Sequence, residues 1–197
     1  MKHFVHLLLL LCPIIIYSQD TTLLSENDPF YDYKELQLSN TATIPGFDSK
    51  KQKLKVTGTI YQSDGVTPAE GVILYIEQPD EDGDFNVIKE EDKKYVQNRG
   101  WIKTDANGQY TFFTYVPGSD RRYNRMQQLY PIVKESTKPG YAMATFLFDE
   151  DPLLTKRCRK RMAKKGDPSR ILKLKTVDGL LVAQKDIVLQ ENPVTTK

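Results

Sequence analysis

The chain has 197 residues, with 28 Lys and Arg against 26 Asp and Glu, so no global field draws it to nucleic acid. Of its 2 cysteines and 2 histidines, only Cys158 lies beyond residue 18. A mature chain starting there would have no internal disulfide and no Cys/His zinc site. Its stability would rest on a buried core, which roughly 180 residues can supply.

Residues 1–18 read as a cleaved secretory leader. Lys2 gives the positive start, Phe4 to Ile16 is apolar except for His6 and Pro13, and Ser18 is small at the cut, so the mature chain would begin near Gln19. The apolar run is shorter than the ~20 residues that span a bilayer, so no transmembrane span is expected in the mature form. Cys12 offers a second possibility, a lipid anchor, although Leu11 stands where a small residue is expected before it. Export to the periplasm, the envelope or the medium is the expectation, with no nucleic-acid partner.

Residues 19–51 are polar, with scattered aromatics (Phe30, Tyr31, Tyr33), and read as an arm or linker that wraps the domain behind it. From Lys53 the pattern changes. Leu54, Val56 and Ile60 alternate with Lys55, Thr57 and Thr59, the period of a half-buried strand. Gly71 to Glu77 is a more apolar second strand, followed by the acidic loop 79–84. Gly100–Thr104 and Gln109–Val116 flank Asp105-Ala106-Asn107-Gly108, which predicts a hairpin because Asn-Gly takes positive φ at low cost. Further strands are expected over 131–134 and 141–148, with a final pair over 171–176 and 180–189 around Asp178-Gly179.

One segment departs from this pattern. Residues 152–165 predict a short basic helix closed by Gly166. Its Lys and Arg residues read either as an anion-binding patch or as a solvated face balanced by the acidic loops. Short strands with turns at regular spacing and one helix define an all-β, antiparallel β-sandwich over residues 52–192, followed by a tail at 193–197.

The motifs are more specific than this architecture. Arg99-Gly100-Trp101, then Thr104-Asp105-Ala106-Asn107-Gly108-Gln109-Tyr110, Val116-Pro117-Gly118 and Thr145 to Leu154 occur in one order. The series resembles the catalytic domain of intradiol ring-cleavage dioxygenases of the catechol and protocatechuate type. It is also compatible with prealbumin-like domains. The resemblance implies a sandwich with ferric iron held by two tyrosinates and two imidazoles, a donor set suited to that ion.

Carried over residue by residue, the resemblance puts Phe85 and Asp120 at the two tyrosine positions and Gln128 and Tyr130 at the two histidine positions. Arg125 falls where some relatives keep a substrate-facing arginine, and with Tyr123 it forms a candidate pocket. On this reading the iron ligands are absent, and neither catalytic residues nor a cofactor are expected. The chain is then a non-catalytic or repurposed member that binds a small aromatic or an envelope component. Two alternatives are an active dioxygenase with an altered metal site and a prealbumin-like accessory domain.

Three smaller features have plainer readings beside functional ones. Asp80, Asp82, Asp84 and Glu91 approach the spacing of a calcium loop, but Phe85 replaces its glycine. Trp101 is either a stacking platform or core. Cys158 lies between Arg157 and Arg159, which could activate its thiol.

Overall fold

The structure, a computed structural model, describes residues 24, 27–90, 92–191 and 193. The leader over residues 1–18, with His3, His6 and Cys12, lies outside the described residues. In chain order the strands are β1 (Thr41–Thr43), β2 (Lys53–Tyr61), β3 (Ile73–Glu77), β4 (Val87–Glu90), β5 (Lys93–Val96), β6 (Arg99–Lys103) and β7 (Gln109–Tyr115). After them come β8 (Gln128–Lys134), β9 (Tyr141–Ala142), β10 (Phe146–Phe148), the helix α1 (Lys156–Lys165), β11 (Ile171–Leu172), β12 (Lys175–Val177), β13 (Leu180–Gln184) and β14 (Ile187–Val188). Short 3-10 turns cover Pro29–Glu35, Phe47–Ser49 and Pro168–Arg170.

Two sheets form the sandwich. The first has the order β1-β7-β2-β13-β12, with β14 also on β2; the second has β11-β10-β8-β3-β6, with β9 also on β8. Central pairs are antiparallel, as in β2 with β7 and β3 with β8, whereas β1, β11, β13 and β14 add parallel pairings. The all-β sandwich with one short helix is therefore as expected, with a mixed rather than purely antiparallel periphery.

The alternation read in the sequence sets the layers. Leu54, Val56, Ile60, Tyr110 and Phe112 from the first sheet bury against Leu74, Ile76, Ile102, Leu129, Val133 and Phe148 from the second. Burying each such side chain stabilises the fold by about 1.5–3 kcal/mol before entropy is counted. The opposite face of the second sheet is also covered. Phe30, fully buried, packs with Ile73 and Tyr75 there, and Tyr31, Tyr33, Trp101 and Ile132 close around them. The arm is thus held to the sheet by its aromatics, and β1 pairs with β7.

The expected hairpin at Asp105–Gly108 does not form. The turn is present, with the Asp105 carboxylate accepting the N–H groups of Asn107 and Gln109 at 2.9 Å and Gly108 at φ +68°. Its two flanking strands separate into different sheets: β6 pairs with β3, while β7 pairs with β2. The inward run of Tyr110 and Phe112 gains more by facing the core beside Val56 than by continuing along β6. The segment 141–148 is split between β9 and β10, and 171–176 between the two sheets, so these too were read as longer strands than they are. The hairpin β4–β5, largely exposed and rich in charge, has no apolar alternation to announce it. The helix ends as expected at Gly166 but starts later than 152, at Lys156, because Thr155 caps it by accepting the Cys158 N–H.

Candidate functional site

Two loops meet beside the start of β8. In the acidic loop, Asp80 Oδ1 accepts the N–H groups of Asp82 and Asp84 at 3.0 Å, and its Oδ2 accepts Asn86 Nδ2 at 3.1 Å. Asp80 is thereby occupied in shaping the loop, and Glu91 lies outside the described residues. The second loop leans on the first at Gly118, where a Cβ would run into the Glu81 carbonyl and the Gly83 nitrogen. This close approach brings Phe85 and Asp120 into one neighbourhood.

Asp120 is buried, and its carboxylate is fully engaged. Oδ1 accepts the Arg122 N–H at 2.9 Å and its Nε at 3.2 Å; Oδ2 accepts Arg125 Nη2 at 3.0 Å. Burial raises its pKa, but the hydrogen bonds and charges of Arg122 and Arg125 outweigh this and hold the carboxyl below the usual carboxylate range. Asn124 takes positive φ to close the 120–125 loop. Tyr123 projects from this loop, 70% exposed, with the Arg122 and Arg125 guanidinium groups 5.9 and 5.1 Å from its ring centre.

Gln128 and Tyr130 share the outer face of β8, because side chains two apart on a strand point the same way. The Tyr130 ring meets the Phe85 ring at 5.4 Å, edge to face. Burial raises the Tyr130 pKa, with the nearby Arg125 charge working against it and Glu77 adding to it, so the neutral phenol is favoured. Gln128 Oε1 accepts the Thr145 hydroxyl at 2.8 Å, and Thr145 is in turn held by Arg170. Phe85, Tyr130, Arg125 and Asp120 therefore adjoin one another, with Gln128 two residues before Tyr130 on the same face of β8.

Concavity is found beside this cluster. A cavity of about 450 Å3 opens over the outer face of the second sheet, lined by Tyr75, Glu77, Val87, Tyr95, Val96 and Ile132 among others. Glu77 pairs across the strands with Tyr130. It accepts the Tyr75 hydroxyl at 2.7 Å, and burial raises its carboxyl above the usual range despite the hydrogen bond from Tyr75. A larger cavity of about 750 Å3 follows along β6, with Asp32, Tyr95, Arg99 and Trp101 in its wall. The Arg99 guanidinium lies 3.7 Å from the Tyr95 ring centre and pairs with Asp32 at 3.4 Å. Trp101 is half-buried and donates its Nε1–H to the Phe30 carbonyl at 2.8 Å, so part of it is structural. Sequence reasoning missed Tyr75, Glu77 and Tyr95. The alternation within β3 was the available signal, since it puts Tyr75 and Glu77 on the face away from Leu74 and Ile76.

This two-sheet architecture, with loops converging at one end of β8, is the fold of the intradiol ring-cleavage dioxygenases. The dioxygenase domain of a dioxygenase carbohydrate-binding protein fusion from Streptomyces sp. SirexAA-E superposes with a TM-score of 0.57 at 19% identity, over 87% of this chain and 98% of that one. An intradiol ring-cleavage dioxygenase from Tetranychus urticae gives 0.55 at 16% identity, over 87% and 94%. Catechol 1,2 dioxygenase from Acinetobacter radioresistens gives 0.59 at 13% identity, over 89% of this chain and 63% of that one. No family model and no curated sequence matches the chain. The resemblance carried by the motifs is thus borne out in the fold.

These neighbours correct one expectation. The sequence leads to the expectation of no cofactor, yet the proteins that share its fold are ring-cleavage dioxygenases, the class for which ferric iron is the implied cofactor. Absence of a cofactor is therefore not a property the chain can be assigned. The fit of the four carried-over residues to ferric iron is a separate matter, and it is poor. Phe85 offers no donor atom, Asp120 has both oxygens engaged by arginines, Gln128 is a neutral amide bound to Thr145, and Tyr130 favours its neutral phenol.

Proposed function

We propose that the chain is an exported, non-catalytic binding protein built on the ring-cleavage dioxygenase fold, and that it holds a small aromatic ligand on the outer face of the second sheet. The observation that carries this reading is the cavity of about 450 Å3 over Tyr75 and Glu77. Its size falls within the ~300–1,000 Å3 of ordinary ligand sites, and its wall sets apolar and aromatic side chains beside the charged groups of Asp28, Glu77 and Lys94. Tyr75, Tyr95, Val87, Val96 and Ile132 offer ring and aliphatic contacts, while Glu77 can bond a ligand hydroxyl. A binding role is further supported by the engaged oxygens of Asp120 and Gln128 next door. Export rests on the leader read over residues 1–18. Among the described residues no helix is long and apolar enough to cross a membrane.

Trp101 is the one tryptophan of the chain, and its ring centre lies 5.0 Å from that of Tyr75, so its emission reports on this face. Titration with catechol and with 4-hydroxybenzoate should give a saturable emission change, removed by Val96→Phe, which fills part of the cavity. Oxygen uptake with catechol and supplied ferric iron should stay at the buffer rate. Ring-opened product, or no saturable binding of either phenol, would overturn the proposal.

A further inference from the structure

The surface of α1 is strongly asymmetric. Lys156, Lys160 and Lys164 form one row along it, and Arg157, Arg161 and Lys165 form the adjacent row. These six cations cover one half of the helix and are all exposed. Cys158, Arg159 and Met162 occupy the other half and are half-buried. A groove of about 490 Å3 follows the basic half, lined by Arg157, Lys160, Arg161, Lys164 and Lys165.

The acidic stretches do not balance this charge. Asp149 pairs with Arg159, on the other side of the helix. Asp151 binds the N–H groups of Gln127 and Leu153, Asp84 pairs with Arg122, and Glu81 pairs with Lys50. Among the described residues, the ion pairs leave the six cations without an acidic partner. Like charges four apart destabilise a helix, and Lys156 and Arg157 also oppose the positive end of its dipole. The array is held together against its own repulsion by the Thr155 cap and the Arg159–Asp149 pair.

We propose that this face of α1 docks on an anionic lipid surface through headgroup phosphates. The two rows are parallel and unobstructed, so a dense plane of phosphates meets both at once. The basic half carries no aromatic side chain, so it offers no ring platform for single-stranded bases, and its charge meets a phosphate plane without one. It carries no large apolar side chain either, so contact stays at the headgroup level and rests on charge.

The test is co-sedimentation of the chain with vesicles of equal parts phosphatidylglycerol and phosphatidylcholine, against vesicles of phosphatidylcholine alone. Binding is expected only to the anionic vesicles, and molar salt should release it because screening shortens the reach of each charge. The variant Lys156→Gln, Lys160→Gln, Lys164→Gln keeps good helix formers and should bind about a hundredfold more weakly. A second variant, Arg157→Gln, Arg161→Gln, Lys165→Gln, should do the same if the first unfolds. The control Lys89→Gln, Lys103→Gln, Lys175→Gln removes the same net charge elsewhere on the surface and should bind as the parent does. The proposal fails if the parent does not sediment, if the control loses as much as the helix variants, or if duplex DNA is bound while anionic vesicles are not.

Discussion

The Asp120 and Arg125 side chains meet at 3.0 Å, Oδ2 to Nη2, while their backbones exchange N–H···O bonds of 2.9 Å in both directions. The pair closes the loop that leads into β8, and so fixes the approach of Gln128 and Tyr130 to the sheet. Asp120→Asn keeps the size and removes the charge, leaving Arg122 and Arg125 without their buried anion. The folded-state pKa of Asp120 is lowered, so its contribution is present above the unfolded value of about 3.9 and is lost as pH falls through the folded value. Urea unfolding should therefore find the parent more stable than Asp120→Asn at pH 7, with the difference closing below about pH 4. A difference that stayed constant from neutral to acid pH would show that the charge is not what holds the loop.

The Phe85 and Tyr130 rings join the acidic loop to β8. An edge-to-face pair contributes about 0.5–1.5 kcal/mol beyond the area it buries. A double-mutant cycle of Phe85→Leu and Tyr130→Leu, followed by urea denaturation, should return a coupling in that range. A value near zero would mean that the two rings are only neighbours.

Legibility in the sequence followed how local the determinants were. Alternation along Lys53–Tyr61 announced β2, and Gly166 marked the end of α1, because both depend on residues close in the chain. Asn107-Gly108 announced a turn correctly, but a turn does not say whether its flanking strands stay together. That depended on Tyr110 and Phe112 finding Val56 and the core. For the site, the motifs led to Phe85, Asp120, Gln128 and Tyr130, and Phe85 does meet Tyr130. The cavity beside them was not legible, because its wall joins residues from the arm, β3, the β4–β5 hairpin and β8. Such a wall has no sequence spacing of its own.

Glu77 gives a pH dependence of the opposite sign. Its folded-state pKa is raised, chiefly by burial, so its protonated form is favoured by folding. That contribution is present below the unfolded value of about 4.3 and is lost as pH rises through the folded value. Glu77→Gln retains an acceptor for the Tyr75 hydroxyl without the buried charge. The variant should therefore be more stable than the parent at pH 7, with the gain shrinking as pH falls through the raised folded value and gone below about 4.3. Thermal unfolding at pH 7 and at acid pH measures both; a variant less stable at pH 7 would contradict the account.

Phe30 tests how firmly the arm belongs to the sheet. It is 0% exposed and meets Tyr31, Tyr33 and Tyr75 edge to face, at 4.9, 5.6 and 5.8 Å. Its carbonyl also receives the Trp101 Nε1–H. Phe30→Ala removes a ring from a filled site, which costs about 3–5 kcal/mol where the surroundings cannot collapse. If the arm is integral to the fold, the variant should lose stability in that range, and Trp101 emission should move to longer wavelength as the indole loses cover. If the arm instead lifts away as a unit, the loss of stability is small, the emission shift remains, and amide exchange quickens at Tyr31 and Tyr33 but not in β2. Phe30→Leu keeps much of the apolar volume and should recover most of the stability, because the site is filled by apolar contact and needs no polar group from the ring.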